Sequence, residues 1–132
     1  LRAVSACLAG VRVKAETFSS SLAAAKPGEL VYVDPPYIPI SDTSYFTAYA
    51  QGDFGFDEQR QLAACLREAA DRGVKVIASN SYTDATRELY EGFCLTTVLA
   101  YRRVNSRVTK RGQIPEALIT SFELEPCEPE SG

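Results

Sequence analysis

Leu30-Val31-Tyr32-Val33-Asp34-Pro35-Pro36-Tyr37 is the segment whose reading decides the fold. Its first four residues are a continuous apolar run with β-branched side chains, the pattern of a strand buried on both faces in a parallel sheet. Two successive prolines follow, and neither can donate a ladder hydrogen bond, so the strand must stop there. Ligands of open α/β sheets bind beyond the carboxyl ends of the strands. Asp34 to Tyr37 therefore fall on the edge where a site is expected.

Upstream, Leu1, Val4 and Leu8 have helical spacing that Gly10 stops, and Val11 to Lys14 alternates like a short strand. Ser19 to Ala25 reads as a helix, closed by the Lys26-Pro27-Gly28 turn. Downstream, Ile38 to Phe56 is a long connection of a kind that is usually functional or disordered. Asp57 is placed to cap the next helix, whose Leu62, Cys65, Leu66, Ala69 and Ala70 form one apolar stripe and which Gly73 closes in a left-handed conformation. Val74 to Ala78 reads as the next strand, with Ser79-Asn80 as a strand-end turn that needs no catalytic role. Thr83 to Glu91 reads as a short helix stopped by Gly92, and Leu95 to Arg103 and Ala117 to Phe122 as two further strands. Strands alternating with helices give an α/β fold over residues 1–122, and the Glu/Pro-rich residues 123–132 read as an acidic, disordered tail.

Composition narrows the chemistry. The 132 residues suit one domain, and 45% hydrophobic with 23% charged residues is an ordinary soluble balance. No histidine occurs, which removes Ser-His-Asp and Cys-His nucleophile systems, an imidazole base and a histidine-bound zinc. No metal site is expected. Cys7, Cys65, Cys94 and Cys127 stand singly, without zinc or redox spacing, and read as free thiols in a reducing, cytoplasmic compartment. No apolar run approaches the roughly 20 residues that span a bilayer. With no methionine, and with Leu1 already inside a helical pattern, the chain reads as a portion of a longer protein. Its net charge of −3 is unevenly spread: Arg102, Arg103, Arg107, Lys110 and Arg111 crowd five cations into an acid-free stretch, while residues 116–132 hold five acids and no cation.

A strand that runs into Asp-Pro-Pro-Tyr offers a carboxylate on Asp34 and a backbone carbonyl on Pro35 released from the ladder. It also offers a flat aromatic face on Tyr37, and Pro36 stiffens the turn. Two convergent acceptors beside a stacking surface suit a planar group carrying an amine, such as the exocyclic NH2 of adenine or cytosine. The lone pair of that amine is conjugated into the ring. Acceptors that hold its hydrogens favour pyramidal geometry and expose the lone pair to an electrophile. A sulfonium methyl donor requires neither metal nor histidine.

The segment resembles the catalytic motif of S-adenosylmethionine-dependent amino methyltransferases. Its surroundings, "LVYVDPPYIPIS", "YFTAY", "FDEQRQLA", "VIASN" and "ALITSF", resemble the Dam-type DNA adenine-N6 methyltransferases from about Leu1 to Phe122. DPPY alone would arise by chance in about one such chain in two thousand, and the ordered flanking motifs make coincidence remote. The resemblance implies a partial Rossmann-like sheet in which Asp34 and Pro35 hold the target amine and Tyr37 stacks on a flipped adenine of double-stranded DNA. It implies that Thr17, Phe18 and Asp34 lie by the S-adenosylmethionine cofactor, and that residues 41–50 form a loop by the base, with Phe46 and Tyr49 as candidate contacts. Phosphate contact is the expectation for Arg102, Arg103, Arg107, Lys110 and Arg111.

Ordinary structural readings compete with each assignment. Asp34 could close a turn, Tyr37 and Phe18 could pack in the core, Phe46 and Tyr49 could anchor their own loop, and the basic stretch could be a solvated loop. Methylation of cytosine N4 or of an RNA amine, and a non-catalytic nucleic-acid-binding module, are the alternative functions. The family's Phe-x-Gly-Gly cofactor loop, its Lys-Trp segment and its target-recognition domain are not found in the sequence. The expectation is a C-terminal catalytic portion that binds cofactor poorly alone, has little activity, and self-associates through the unpaired edge of the Val31–Val33 strand.

Overall fold

The computed structural model of the chain describes residues 1–40, 54–101 and 113–125. Helix α1 spans Arg2–Leu8, α2 Phe18–Ala24, and strand β1 Leu30–Val33; α3 spans Phe56–Asp71, β2 Lys75–Ser81, α4 Asp84–Leu89, β3 Cys94–Tyr101 and β4 Gln113–Thr120. The described strands form one mixed sheet in the order β1-β2-β4-β3. β1 and β2 run parallel, with Val33 opposite Ala78, and β4 runs antiparallel to both β2 and β3. This is the α/β arrangement expected of a partial Rossmann-like sheet.

Helix α3 supplies the covering face. Its Leu62, Ala63, Leu66 and Ala69 recur at helical spacing and pack with Val76 and Ala78 of β2, Ala117 and Ile119 of β4, and Tyr90 in one buried cluster. The helix ends on Gly73 at φ +92°, with Gly73 N–H donating to the Ala70 carbonyl and Val74 N–H to that of Ala69, each at 3.0 Å. That reciprocal pair satisfies two terminal carbonyls and turns the chain directly into β2. Arg72 then reaches back to donate to the carbonyls of Leu22 and Ala25 at the end of α2, at 2.8 and 3.3 Å.

Four expectations change. Val11 to Lys14 forms no strand; it pairs with no strand among the described residues and is exposed throughout. β1 is not buried on both faces: Leu30 and Tyr32 are 59% and 65% exposed, while Val31 and Val33 on the alternate face pack against the core. Asp57 does not cap α3. Gly55 occupies that position, and its N–H donates to the Glu58 carboxylate at 2.7 Å. Finally, β2 does not turn at Ser79-Asn80 but continues through Ser81, paired with β4 as far as Glu116. Cys7, Cys65 and Cys94 are free thiols, and Cys127 lies outside the described residues. Among the described residues no helix is long and apolar enough to cross a membrane.

Candidate active site

The β1–β2 ladder closes at Val33 and Ala78, so the next residues of the two parallel strands, Asp34 and Ser79, face each other across the carboxyl edge. The Ser79 hydroxyl donates to Asp34 Oδ1 at 2.8 Å. Asp34 is exposed, whereas the Pro35 ring beside it is buried and holds the turn against the protein. An exposed carboxylate restrained by a neighbouring hydroxyl is an oriented hydrogen-bond acceptor.

Consecutive residues of a strand point to opposite faces, and β2 uses both at this edge. Asn80 points toward α3. Its Oδ1 accepts from the backbone N–H groups of Ile38 and Ser81, each at 2.9 Å, and its Nδ2 donates to Gln59 Oε1 at 3.2 Å. Gln59 Nε2 in turn donates to the Pro36 carbonyl at 2.6 Å. The Ser81 hydroxyl donates to the Ile38 carbonyl and is joined at the strand end by Thr86, whose Oγ1 donates to the Ser81 carbonyl at 2.7 Å. Gln59 and Asn80 are fully buried. Buried amides are stable only when their polar atoms are paired, and this network pairs them with the turn after β1.

Tyr37 leaves that turn half-buried. Its hydroxyl donates to Glu116 Oε2 of β4 at 3.2 Å. Burial raises the phenol above its ordinary pKa; the Ser79 side chain works against that rise, and the Glu116 and Asp34 carboxylates add to it. Tyr37 therefore stays a neutral donor, with its ring anchored at the backbone and at the hydroxyl.

Asp34, Pro35, Pro36 and Tyr37 are thus brought together at one edge. Thr17 and Phe18 have structural duties: the Thr17 hydroxyl accepts from Ser20 N–H at 3.3 Å as the N-cap of α2, and the Phe18 ring meets Phe54 edge-on with centroids 5.9 Å apart. Phe46, Tyr49, Arg102, Arg103, Arg107, Lys110 and Arg111 lie outside the described residues. Sequence reasoning gave Ser79 and Asn80 only a strand-end turn and passed over Ser81, Gln59 and Glu116. A polar Ser-Asn-Ser triplet directly following a buried parallel strand was the available signal, as was Gln59 three residues before Leu62 on an otherwise apolar helix face. Among the described residues no three His, Cys, Asp or Glu side chains are grouped to hold a metal.

A family model described as the D12 class of N6 adenine-specific DNA methyltransferases matches residues 1–104. A type II methyltransferase of Lactococcus lactis subsp. cremoris, M1.LlaDCHI, is 34% identical over 112 residues, covering 85% of this chain and 39% of the relative. The type II methyltransferase M.MjaIII of Methanocaldococcus jannaschii is 45% identical over 94 residues, covering 70% of this chain and 32% of the relative. The DNA adenine methylase of Escherichia coli strain K12 is 36% identical over 103 residues, 78% of this chain and 37% of that protein. The chain thus spans less than two fifths of the length of these relatives.

Proposed function

This chain belongs to the D12 class of N6 adenine-specific DNA methyltransferases, and from that membership we propose that it is the target-amine portion of an enzyme that methylates adenine N6 in DNA. Residues 1–122 belong to its catalytic domain, and residues 123–132 are an acidic segment. The single observation that carries the reading is the edge geometry: an exposed Asp34 carboxylate oriented by Ser79 beside an aromatic ring held by Glu116.

Asp34 and the Pro35 carbonyl accept the two hydrogens of the adenine amine, and the Tyr37 ring stacks on the base after it leaves the duplex. A stacked base is held for about 1–3 kcal/mol, and extrusion from the helix costs a few kcal/mol, so the ring offsets much of that cost. Withdrawing the amine hydrogens toward two acceptors turns the nitrogen lone pair out of conjugation. The donor is S-adenosylmethionine, which supplies an electrophilic methyl group when bound. The donor set of this chain fits one side of such a molecule: the Asp34 carboxylate can face a cation, and Phe18 presents a half-buried aromatic surface. Phe46 and Tyr49 border the base, and Arg102, Arg103, Arg107, Lys110 and Arg111 contact DNA phosphates. The enzyme acts in the cytoplasm, and the isolated portion self-associates through the edge of β1 that no strand among the described residues pairs.

The test is methyl transfer to duplex DNA by the full-length protein that carries these residues, followed by digestion to nucleosides. N6-methyladenine as the product supports the reading. N4-methylcytosine, product only on RNA, or salt-sensitive DNA binding that survives loss of Asp34 and Tyr37 without methyl incorporation would replace it.

A further inference from the structure

We propose that Gln59 and Asn80 are positioning residues for methyl transfer, an amide pair that sets the path of the backbone on both sides of Tyr37 without touching the substrate. The inference rests on the function proposed above and assigns it two residues outside the DPPY motif. Three backbone groups flank the tyrosine, and each is taken by a buried side chain. The Pro36 carbonyl accepts from Gln59 Nε2, the Ile38 N–H donates to Asn80 Oδ1, and the Ile38 carbonyl accepts from Ser81 Oγ. The Asn80–Gln59 bond joins the first two restraints into one unit bridging β2 and α3.

The chemistry of the pair fixes its polarity. Asn80 must present its oxygen to Ile38 and Ser81, because both are N–H donors, so its NH2 is left for Gln59. Gln59 must then present oxygen to Asn80 and nitrogen to Pro36. Neither amide can be reversed without setting like against like in a fully buried site, where an unpaired polar group is expensive. The Pro36 carbonyl is consequently drawn toward the interior and committed. The restraints on either side of Tyr37 limit how far its backbone can move. Nothing in this arrangement requires the side chains to reach substrate; its effect is on where the reacting groups stand, and displacements of about 1 Å in such groups can lower turnover by about 100-fold.

Gln59→Met tests the proposal, since a thioether side chain of similar length offers Pro36 no donor and Asn80 no amide oxygen. The protein used is the complete methyltransferase, with the concentration of donor-binding sites measured by calorimetric titration of S-adenosylmethionine. The expected result is kcat per donor-binding site lowered by about 10- to 100-fold, with KM for the donor within about threefold of wild type. A merely structural role would lower the number of binding sites and leave kcat per site unchanged, and that outcome overturns the proposal. So does a loss carried by KM for the donor alone. If Gln59→Met yields no folded protein, Asn80→Ala, which removes the acceptor for the Ile38 N–H and the donor to Gln59, is read by the same two criteria. Wild-type protein that makes no N6-methyladenine defeats the functional reading itself; active wild type with unchanged variants defeats only the positioning role.

Discussion

The Ser79 hydroxyl donates to one carboxylate oxygen of Asp34 at 2.8 Å, across the edge where the two parallel strands stop pairing. The bond fixes the carboxylate by its Oδ1 and so orients Oδ2. Asp34→Ala removes the acceptor and should abolish methyl transfer while DNA binding, measured by fluorescence anisotropy, persists. Ser79→Ala loses the restraint on Asp34 together with the Ser79 contact to Tyr37, and a fall in kcat of about tenfold is expected, equivalent to about 1.4 kcal/mol. Asp34→Ala protein that still turned over would remove Asp34 from the reaction.

Tyr37 separates stacking from anchoring. Tyr37→Phe keeps the ring and loses the bond to Glu116, and should retain most activity. Tyr37→Ala loses the stack, which corresponds to about 1–3 kcal/mol or roughly 5- to 150-fold in kcat/KM for DNA. Steady-state kinetics on a single-site duplex distinguish the two; equal losses in both variants would show that the ring itself contributes nothing.

Tyr90 carries the clearest pH signature. Its ring is fully buried, its hydroxyl has no hydrogen-bond partner among the described residues, and burial pushes its pKa from 10.0 up to about 12. Below about pH 10 the phenol is protonated in both folded and unfolded chains, and its contribution is fully present. Between about pH 10 and 12 the unfolded chain releases a proton that the folded chain keeps. Stability should therefore fall as pH rises through that window, by up to roughly 3 kcal/mol. Thermal melts from pH 8 to 12 should show this slope, and Tyr90→Phe should flatten it. Because Tyr37 is also raised, some slope will remain. At pH 7 the same variant should be at least as stable as wild type, since it removes a buried donor with no partner among the described residues.

Leu66 has no exposed surface and sits at the centre of the α3 face against the sheet. Leu66→Ala should cost about 2–5 kcal/mol, read as a lower urea midpoint with unchanged slope. Because α3 also carries Gln59, methyl transfer should fall with the folded fraction. Activity maintained through the unfolding transition would contradict the placement of the site on this core.

The sequence made the strand–proline junction and the α3 stripe readable because each depends on local rules: a proline cannot pair, and a helix repeats its buried face every three to four residues. The length of β2 was hidden for a different reason. Its apolar pattern ends at Ala78, and Ser-Asn-Ser reads as polar chain leaving the sheet. The three residues stay in the strand because the turn after β1 offers them backbone and carboxylate partners, 42 to 45 residues away for Ile38 and Asp34. Glu116 was passed over similarly, since only the antiparallel register with Ser81 brings it to Tyr37. The exposure of Leu30 and Tyr32 was equally invisible, because an apolar run does not say how many of its faces are covered. Asp57 lost the cap to Gly55 because Glu58, three residues after the glycine, reaches back to its N–H.

The opposed orientations of Ser79 and Asn80 make the β2 strand intolerant of changes in length. Deleting one residue between Lys75 and Ala78 would shift the following side chains to the opposite face, presenting the Asn80 amide to Asp34 and the Ser81 hydroxyl to α3. Both families of hydrogen bonds would be lost together, although no residue of either had been substituted. Frameshift-free single-codon deletions in this short interval should therefore be as damaging as removal of the aspartate, whereas equal deletions in the turn at Lys26–Glu29 would leave the pairing phase of β2 with β4 intact.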